Sequence, residues 1–160
     1  MPYLIDANNL MHALADVGYA VEREGLCELL IEALGKGAKV HVVFDGPEQN
    51  PAHTEFMLAT GVDLTYAVGR PADAIIEELI AADTAPRRLN VVSTDRRIRA
   101  AARRRRCNPV RSEQFAREMR KRLTRPRRPA EPPEPQQKRK GLSPDETKRW
   151  LREFGLDDPD

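Results

Sequence analysis

Aspartate residues stand at the ends of the strands predicted from this sequence. The apolar runs over residues 3–5, 39–44 and 89–92 predict buried strands, and each leads into an acid or an acid-bearing turn: Asp6, Asp45 and Asp95. A fourth acid, Asp73, opens the helix predicted after the weaker strand of residues 62–68. Because the carboxyl ends of parallel strands lie at one edge of an open sheet, where ligands bind, we expect the four carboxylates to meet there.

Four neighbouring carboxylates repel one another and resist joint ionisation unless a cation lies between them. Hard oxygen ligands favour Mg²⁺ or Mn²⁺, which bind carboxylates together with waters and substrate phosphate oxygens. Such a metal activates a water and stabilises in-line displacement at phosphorus. We therefore predict that Asp6, Asp73 and Asp95 are catalytic metal ligands and that Asp45 assists as the fourth. The competing interpretation for each acid alone is a helix cap or a charge that complements a helix dipole.

Polar side chains next to these acids are candidates for substrate contacts. Asn9 is placed to orient the Asp6 carboxylate or a metal-bound water, and Ser93 and Thr94 are able to donate hydrogen bonds to phosphate. A cap or turn hydrogen bond is the structural alternative for all three, and for the two hydroxyl residues it is the favoured one. Glu77 lies one helical turn beyond the acid that opens its helix, on the same face. An acid that supports the site is one interpretation, and a solvated side chain is the favoured one.

Helices are predicted between the strands. Periodic apolar residues predict helices over residues 10–17, 22–35, 72–80 and 112–123, and a further helix directly after the third strand-end acid. A loop is predicted from Gly46-Pro47, and a short fifth strand over residues 108–110. This alternation predicts an α/β fold in which a parallel sheet of about five strands has helices on both faces.

The composition divides the chain into three parts, residues 1–124, 125–141 and 142–160. The first is the predicted α/β domain, the second a basic, proline-rich linker that we expect to be disordered, and the third a short C-terminal helix. Ser143 as the cap and Pro144 at the first helical position predict the start of that helix. Its apolar edge of Trp150, Leu151 and Phe154 predicts docking on this domain or on a protein or ribonucleoprotein partner.

Charge is distributed unevenly along the chain. Residues 1–95 carry 6 basic and 15 acidic side chains, whereas residues 96–160 carry 21 basic and 10 acidic ones. After the third strand-end acid, arginines recur at helical spacing: Arg96, Arg99, Arg103 and Arg106. We predict that the first three of these contact the phosphates of a polyanion, which gives affinity but little sequence information. Aromatic residues make up 5% of the chain, so readout of bases by stacking is expected to be weak.

Several classes of protein are disfavoured by the sequence. The N-terminus has no basic segment followed by a long apolar stretch, so no signal peptide is predicted. No run approaches the ~18–20 apolar residues of a membrane span. We therefore expect a cytoplasmic protein that binds no membrane, with Cys27 and Cys107 as reduced thiols. His12, His41 and His53 show no zinc-site spacing, and we place His53 in a loop.

Five motifs are similar, in order, to those of a known family. They lie at residues 4–10 (LIDANNL), 42–46 (VVFDG), 72–77 (ADAIIE), 91–95 (VVSTD) and 112–115 (SEQF). Over residues 3–123 the ordered set resembles the YacP-like branch of the NYN domains, which have a PIN-like, Rossmann-like fold. Two departures stand out: Ala7-Asn8 replaces a Gly-Tyr pair, and residues 69–71 (GRP) stand where this branch often has a Glu-Thr or similar pair.

The resemblance implies a metal-dependent endoribonuclease that hydrolyses RNA with carboxylate-bound Mg²⁺ or Mn²⁺. It assigns Asp6, Asp45, Asp73 and Asp95 to the acidic site and places Asn9 beside it. RNA is the expected partner, with ribosome-associated mRNA or rRNA among the candidates. Two alternatives stay open at this point: a non-catalytic RNA- or ribosome-binding module of the same fold, and a toxin-type PIN nuclease that acts on tRNA.

Overall fold

The computed structural model describes residues 1–126 together with Asp145 and Arg149. The chain divides into two compact units, Met1–Arg125 and Pro126–Asp160. In the second unit the described residues are Pro126, Asp145 and Arg149, and the last two are helical. The predicted linker beyond Pro126 and the apolar edge of the predicted C-terminal helix lie outside the described residues.

Strands and helices alternate through the first unit. The strands are β1 (Tyr3–Asp6), β2 (Val40–Asp45), β3 (Val62–Ala67), β4 (Asn90–Val92) and β5 (Asn108–Val110). The helices are α1 (Ala7–Asp16), α2 (Arg23–Leu34), α3 (Pro51–Ala59), α4 (Ala72–Ala82), α5 (Arg96–Arg104) and α6 (Ser112–Thr124), and a 3₁₀ turn (Pro86–Arg88) precedes β4. None of these helices has the length and apolar character needed to cross a membrane.

All five strands are parallel and lie in the order β3-β2-β1-β4-β5. The central strand β1 pairs with β2 and with β4, so that Ile5 lies level with Val42 on one side and Val92 on the other. The predicted α/β fold with a parallel sheet is thus confirmed. The strand order reverses between β1 and β4, and the crevice at the carboxyl ends of strands beside such a reversal is where open sheets bind ligands.

The sheet is buried on both faces because successive side chains of a strand point to opposite sides. Ile5 of β1 belongs to a core that also contains residues of α1, α2, α3 and α6. Leu4, the preceding residue, belongs to a second core with residues of α4 and α5. Ile5 and Leu4 are 0% and 2% exposed, respectively. Apolar packing on both sides therefore fixes the position of the residues at the end of β1.

Helix α3 is the main departure from the predicted elements. The prediction of a loop after Gly46-Pro47 is wrong for residues 51–59, and His53 lies in this helix. Asn50 caps it by accepting a hydrogen bond from the His53 backbone N–H at 3.1 Å, and Pro51 occupies its first position. Phe56 is 61% exposed while Met57 is buried, so the helix lacks the apolar periodicity that reveals helices in a sequence.

The start of α1 and the end of α5 also differ from the prediction. Helix α1 begins at Ala7, three residues before the predicted start, because Asp6 caps it directly at the end of β1. Helix α5 ends at Arg104, and Arg106 has a φ of 63° beyond it. A left-handed residue does not continue an α-helix. The predicted arginine stripe of α5 therefore ends at Arg103.

Candidate acidic site at the sheet edge

Asp6 ends β1 and caps α1. Its carboxylate is held by three donors: the Asn9 backbone N–H at 3.3 Å from Oδ1, the Asn9 side-chain amide at 2.5 Å from Oδ2, and the Ser93 hydroxyl at 3.1 Å from Oδ2. The residue is 7% exposed, and this burial raises the pKa of Asp6, although the hydrogen bonds lower it. The charge of Asp45 adds to the rise. Asp6 is thus an oriented, poorly solvated carboxylate that a cation would stabilise.

Asp45 ends the neighbouring strand β2 and is exposed. Its Oδ2 accepts a hydrogen bond from the Asn8 side-chain amide at 2.5 Å, and its Oδ1 accepts one from the backbone N–H of Ala72, the first residue of α4, at 3.1 Å. Arg23 of α2 donates to the Asp45 backbone carbonyl and lies over the ring of Phe44, 5.3 Å from its centroid. Side-chain and backbone contacts therefore both fix this acid.

The other two predicted ligands stand at the starts of helices. Asp95 caps α5, because its Oδ1 accepts a hydrogen bond from the Arg97 backbone N–H at 2.6 Å. Its own N–H donates to the Ser93 hydroxyl at 3.1 Å, and that hydroxyl in turn contacts Asp6. Asp73 is half-buried at the second position of α4, directly after the residue that holds Asp45. Hydrogen bonds thus link Asp95 to Asp6 through Ser93, and link Asp45 to the backbone of the residue before Asp73.

Arg97, the second residue of α5, lies beside the helix-borne acids. Its Nε is 2.6 Å from Glu77 Oε1, and its Nη2 donates to Glu77 Oε2 at 3.2 Å. The hydrogen bond and ion pair with Glu77, followed by the charges of Asp73 and Asp95, raise the pKa of the Arg97 guanidinium. The expectation that Glu77 is merely solvated is wrong, since it forms an ion pair between α4 and α5.

The predicted substrate contacts fall into two groups in the structure. Asn9 orients the Asp6 carboxylate, which is one of its two predicted roles. The side chain of Ser93 is fully buried and donates to Asp6, so it orients that carboxylate and does not face a ligand at the surface. The remaining residues line the start and side of α5: Thr94, Arg96 and Arg103 are exposed, and Arg99 is half-buried.

Three residues of this edge were not singled out as site residues by the sequence: Asn8, Arg23 and Arg97. The available signal for Asn8 was its place in the first turn of the helix that follows Asp6. Arg23 and Arg97 reach partners 22 and 20 residues away along the chain, across two packed elements. A local sequence pattern does not predict contacts between residues so far apart in the chain.

The donor set agrees with a hard divalent cation. Mg²⁺ is usually held by one or two carboxylates, with waters and substrate phosphates as its other ligands. Asp6 and Asp45 supply such a pair on adjoining strands, and the raised pKa of Asp6 reflects a desolvated carboxylate near another negative charge. Within the described residues, no three acidic, histidine or cysteine side chains lie close enough together to hold one ion. The carboxylate oxygens of Asp6 and Asp45 are thus of the kind that Mg²⁺ or Mn²⁺ binds, and the four predicted ligands do not surround a single point.

A family model and solved structures match this chain. The model of the YacP-like NYN domain matches residues 3–154. The chain belongs to the YacP-like NYN domain family. The match extends past the described sheet and helices into the residues predicted as linker and C-terminal helix.

Solved structures with the YacP-like NYN fold include Rae1 (YacP) from Bacillus subtilis. That structure has a TM-score of 0.57 and 16% identity, over 98% of this chain and 84% of that one. A tryptophan-to-leucine mutant of the same protein has a TM-score of 0.56 and 19% identity, over 100% and 86%. At these identities the likeness shows a shared fold. No curated protein matches the chain. NYN domains are PIN-like nuclease domains and are generally ribonucleases, which is the activity class that an acidic sheet edge suits.

Proposed function

We propose that this YacP-like NYN protein is a metal-dependent endoribonuclease that hydrolyses RNA phosphodiester bonds. The proposal rests on the burial and the hydrogen bonding of Asp6. It is a buried carboxylate, oriented by Asn9 and Ser93, that lies near the charge of Asp45 beside the reversal in strand order. Burial disfavours the charged form of this carboxylate, and a bound cation would stabilise it.

Asp6 and Asp45 are the residues that would hold Mg²⁺ or Mn²⁺. When bound, the metal activates a water and stabilises charge that develops at the scissile phosphate. The protein's own contribution is orientation: Asn9 and Ser93 fix the Asp6 carboxylate, and Asn8 and the Ala72 N–H fix that of Asp45. Asp73 and Asp95 add negative charge at the same edge, and their assignment as metal ligands is part of the proposal.

RNA is the proposed substrate, and α5 is the proposed surface that holds its backbone. Arg96 and Arg103 are exposed on this helix, which starts at the acidic edge. Phosphate contacts of this kind position a strand without reading its sequence. Ribosome-associated mRNA or rRNA as the natural substrate, and docking through the C-terminal helix, are finer parts of the same proposal.

An RNA cleavage assay tests the function. Wild-type protein and Asp6→Asn are compared on a short RNA with Mg²⁺ or Mn²⁺, and with EDTA in place of the metal. We expect cleavage by wild type with metal, and none above the protein-free background in the variant or in EDTA. Asp63→Asn is the matched control. Asp63 is an exposed acid near the amino-terminal end of β3, whereas the proposed site lies at the carboxyl ends of the strands. Full activity of Asp6→Asn, or of wild type in EDTA, would contradict the proposal.

A second candidate is an RNA-binding module of the same fold without hydrolysis. The observation that favours it is the ion pair of Arg97 with Glu77, which already supplies a positive charge near Asp73 and Asp95. This candidate predicts RNA binding by the wild type with no cleavage in any divalent metal. A tRNA substrate in the same assay addresses the toxin-type alternative.

A further inference from the structure

Helix α6 packs on the opposite face of the sheet from α5, and two neighbouring cavities border it. The first, of about 560 Å³, lies at the amino-terminal ends of β1 and β2, and its lining includes Lys36, Lys39 and Arg122. The second, of about 380 Å³, is lined by residues of α6, the first residue of β4 and the last residue of β5. Tyr3 and Arg122 line both cavities, so the two form one groove, the α6 groove.

Positive charge dominates the α6 groove. Among the described residues that line it, one is acidic, Glu118, and five are basic: Lys36, Lys39, Arg117, Lys121 and Arg122. All five basic side chains are exposed. Glu118 lies 3.4 Å from Arg122 Nε, and within the described part of the chain the other four basic residues form no ion pair. The groove therefore offers several uncompensated cations to an anionic ligand.

Helix α6 connects this groove to the acidic edge. It starts at Ser112, just beyond the carboxyl end of β5, and its 13 residues extend about 20 Å back toward the amino-terminal ends of the strands. The backbone N–H of Ser93 donates to the carbonyl of Val110 at 3.1 Å, so the start of α6 lies beside the strand end that leads to Asp95. An RNA strand that crosses the acidic edge thus reaches the groove by following α6.

We propose that the α6 groove binds the sugar-phosphate backbone of an RNA strand at a distance from the acidic edge. The inference rests on the proposed ribonuclease function and assigns a second contact to the same substrate. Grooves that bind single strands combine basic side chains along the backbone with aromatic side chains on which bases stack. Tyr3, a half-buried aromatic residue, lies where the two cavities meet.

An acidic segment of a protein is the competing ligand for a basic groove. RNA is favoured because the second cavity extends to the last residue of β5, at the edge where hydrolysis of a phosphodiester is proposed. One continuous polyanion would then occupy both places. Contacts of this kind add affinity without reading sequence, and each neutralised phosphate makes binding more dependent on salt.

Binding of a fluorescent RNA of roughly 16 nucleotides, the upper site size of such grooves, is measured by anisotropy over a range of salt concentrations. EDTA is present so that the strand is not cut. The full-length wild type is compared with Lys36→Gln/Lys39→Gln and with Arg117→Gln/Lys121→Gln, one pair from each cavity. Each pair should flatten the slope of log affinity against log salt by ~0.7 for each lost phosphate contact, so by about 1.4 when both are lost.

Arg87→Gln with Arg88→Gln is the matched control. This exposed pair also lies near the amino-terminal ends of the strands, in the turn before β4, but it does not line the α6 groove. The change in net charge is the same, and we expect a slope close to that of wild type. Thermal melts followed by circular dichroism establish that each variant is folded.

Three outcomes would overturn the proposal: no RNA binding by wild type, an unchanged slope in either groove variant, or equal flattening in the control. If a fluorescent poly-aspartate peptide binds wild type and loses affinity in the groove variants while their RNA slopes stay unchanged, the groove belongs to an acidic protein partner instead. Cleavage is scored separately. If wild type cuts RNA but the groove variants bind as it does, the groove fails and the nuclease stands. If the slopes flatten as expected but wild type never cuts, the nuclease fails and the groove stands.

Discussion

The four acids of the sheet edge form two pairs that are held in different ways. The strand-borne pair, Asp6 and Asp45, is fixed by hydrogen bonds from α1 and α4, and Asp6 is almost fully buried. The helix-borne pair, Asp73 and Asp95, is half-buried at the starts of two helices, beside the exposed cation of Arg97. Strand register determines where the first pair lies, whereas the packing of α4 against α5 determines where the second pair lies.

This difference indicates which acids of the edge are held rigidly and which are able to change position. Asp6 sits in the middle of the sheet, and its apolar neighbours on β1 are covered on both faces. Movement of its carboxylate would leave the buried Ser93 hydroxyl without its acceptor and would break the hydrogen bonds from the half-buried Asn9, which is costly. The helix-borne acids are less buried, and the side chain of Asp95 accepts a single described hydrogen bond, from the Arg97 N–H. We therefore expect the strand-borne pair to set whether chemistry occurs and the helix-borne pair to adjust its rate and metal affinity.

The largest effect is expected within the strand-borne pair, where two adjacent asparagines serve two different acids. Asn9 holds the buried Asp6, and Asn8 holds the exposed Asp45. Asn9→Ala should reduce metal-supported RNA cleavage by about 10- to 100-fold, the usual cost of removing a residue that orients a metal ligand. Asn8→Ala should cost less, because water can replace its hydrogen bond to an exposed carboxylate. Cleavage rates at saturating Mn²⁺ provide the measurement.

Both asparagine variants remove the same amide from the same turn of α1, so each serves as the other's control. Equal reductions in the two would contradict the distinction between a buried and an exposed acid. If Asn9→Ala were as active as wild type, Asn9 would have no role in the site.

The positions of the acids could be predicted because they follow from local pattern and topology. Apolar runs that end in Asp6, Asp45 and Asp95 predict strand ends, and parallel strands bring their ends to one edge. Helix α3 could not be recognised from apolar periodicity, because its Phe56 and Leu58 are exposed. Its start signal, Asn50 as the cap followed by a proline, was nevertheless present in the sequence.

The partners of the acids could not be predicted in the same way. Ser93 was a candidate for phosphate binding from its type and position, but burial directs its hydroxyl to Asp6. The contact of Arg97 with Glu77 depends on how α4 and α5 pack, which periodicity does not determine. Composition nevertheless indicated that an arginine-rich helix would follow the acidic turn, and Arg97 belongs to that helix.

A smaller effect is expected at Asp95, where a cap and a predicted metal ligand coincide. Asp95→Ala should lower the free energy of unfolding by about 0.5–2 kcal/mol, because the hydrogen bond to the Arg97 N–H is removed. Asp95→Asn should be close to wild type in stability, since asparagine caps helices about as well as aspartate. Urea denaturation measures both.

Cleavage by the two Asp95 variants then separates the roles of this residue. If the carboxylate is needed for the reaction, Asp95→Asn is stable and inactive. If Asp95 acts only as a cap, Asp95→Asn is stable and active, and Asp95→Ala is less stable but active. The second pattern would remove Asp95 from the proposed metal ligands and leave the strand-borne pair as the core of the site.

The smallest effect concerns the arginines of α5 and tests whether RNA lies along the helix-borne side of the edge. Arg103 is exposed, while Arg99 is half-buried with an Nε that has no hydrogen-bond partner within the described residues. Replacing both by Ala should flatten the dependence of log affinity on log salt by ~0.7 for each phosphate of a single strand that the protein no longer neutralises.

Arg87→Ala with Arg88→Ala is the control, because this exposed pair lies in the 3₁₀ turn that precedes β4, away from the carboxyl ends of the strands. Both double variants change the net charge equally, so a general electrostatic effect would flatten the two slopes alike. A change confined to Arg99 and Arg103 would place the RNA backbone along α5, beside Asp95 and Arg97. An unchanged slope in that variant would direct the search for the RNA path to the strand-borne side, where Arg23 is a described arginine in contact with Asp45.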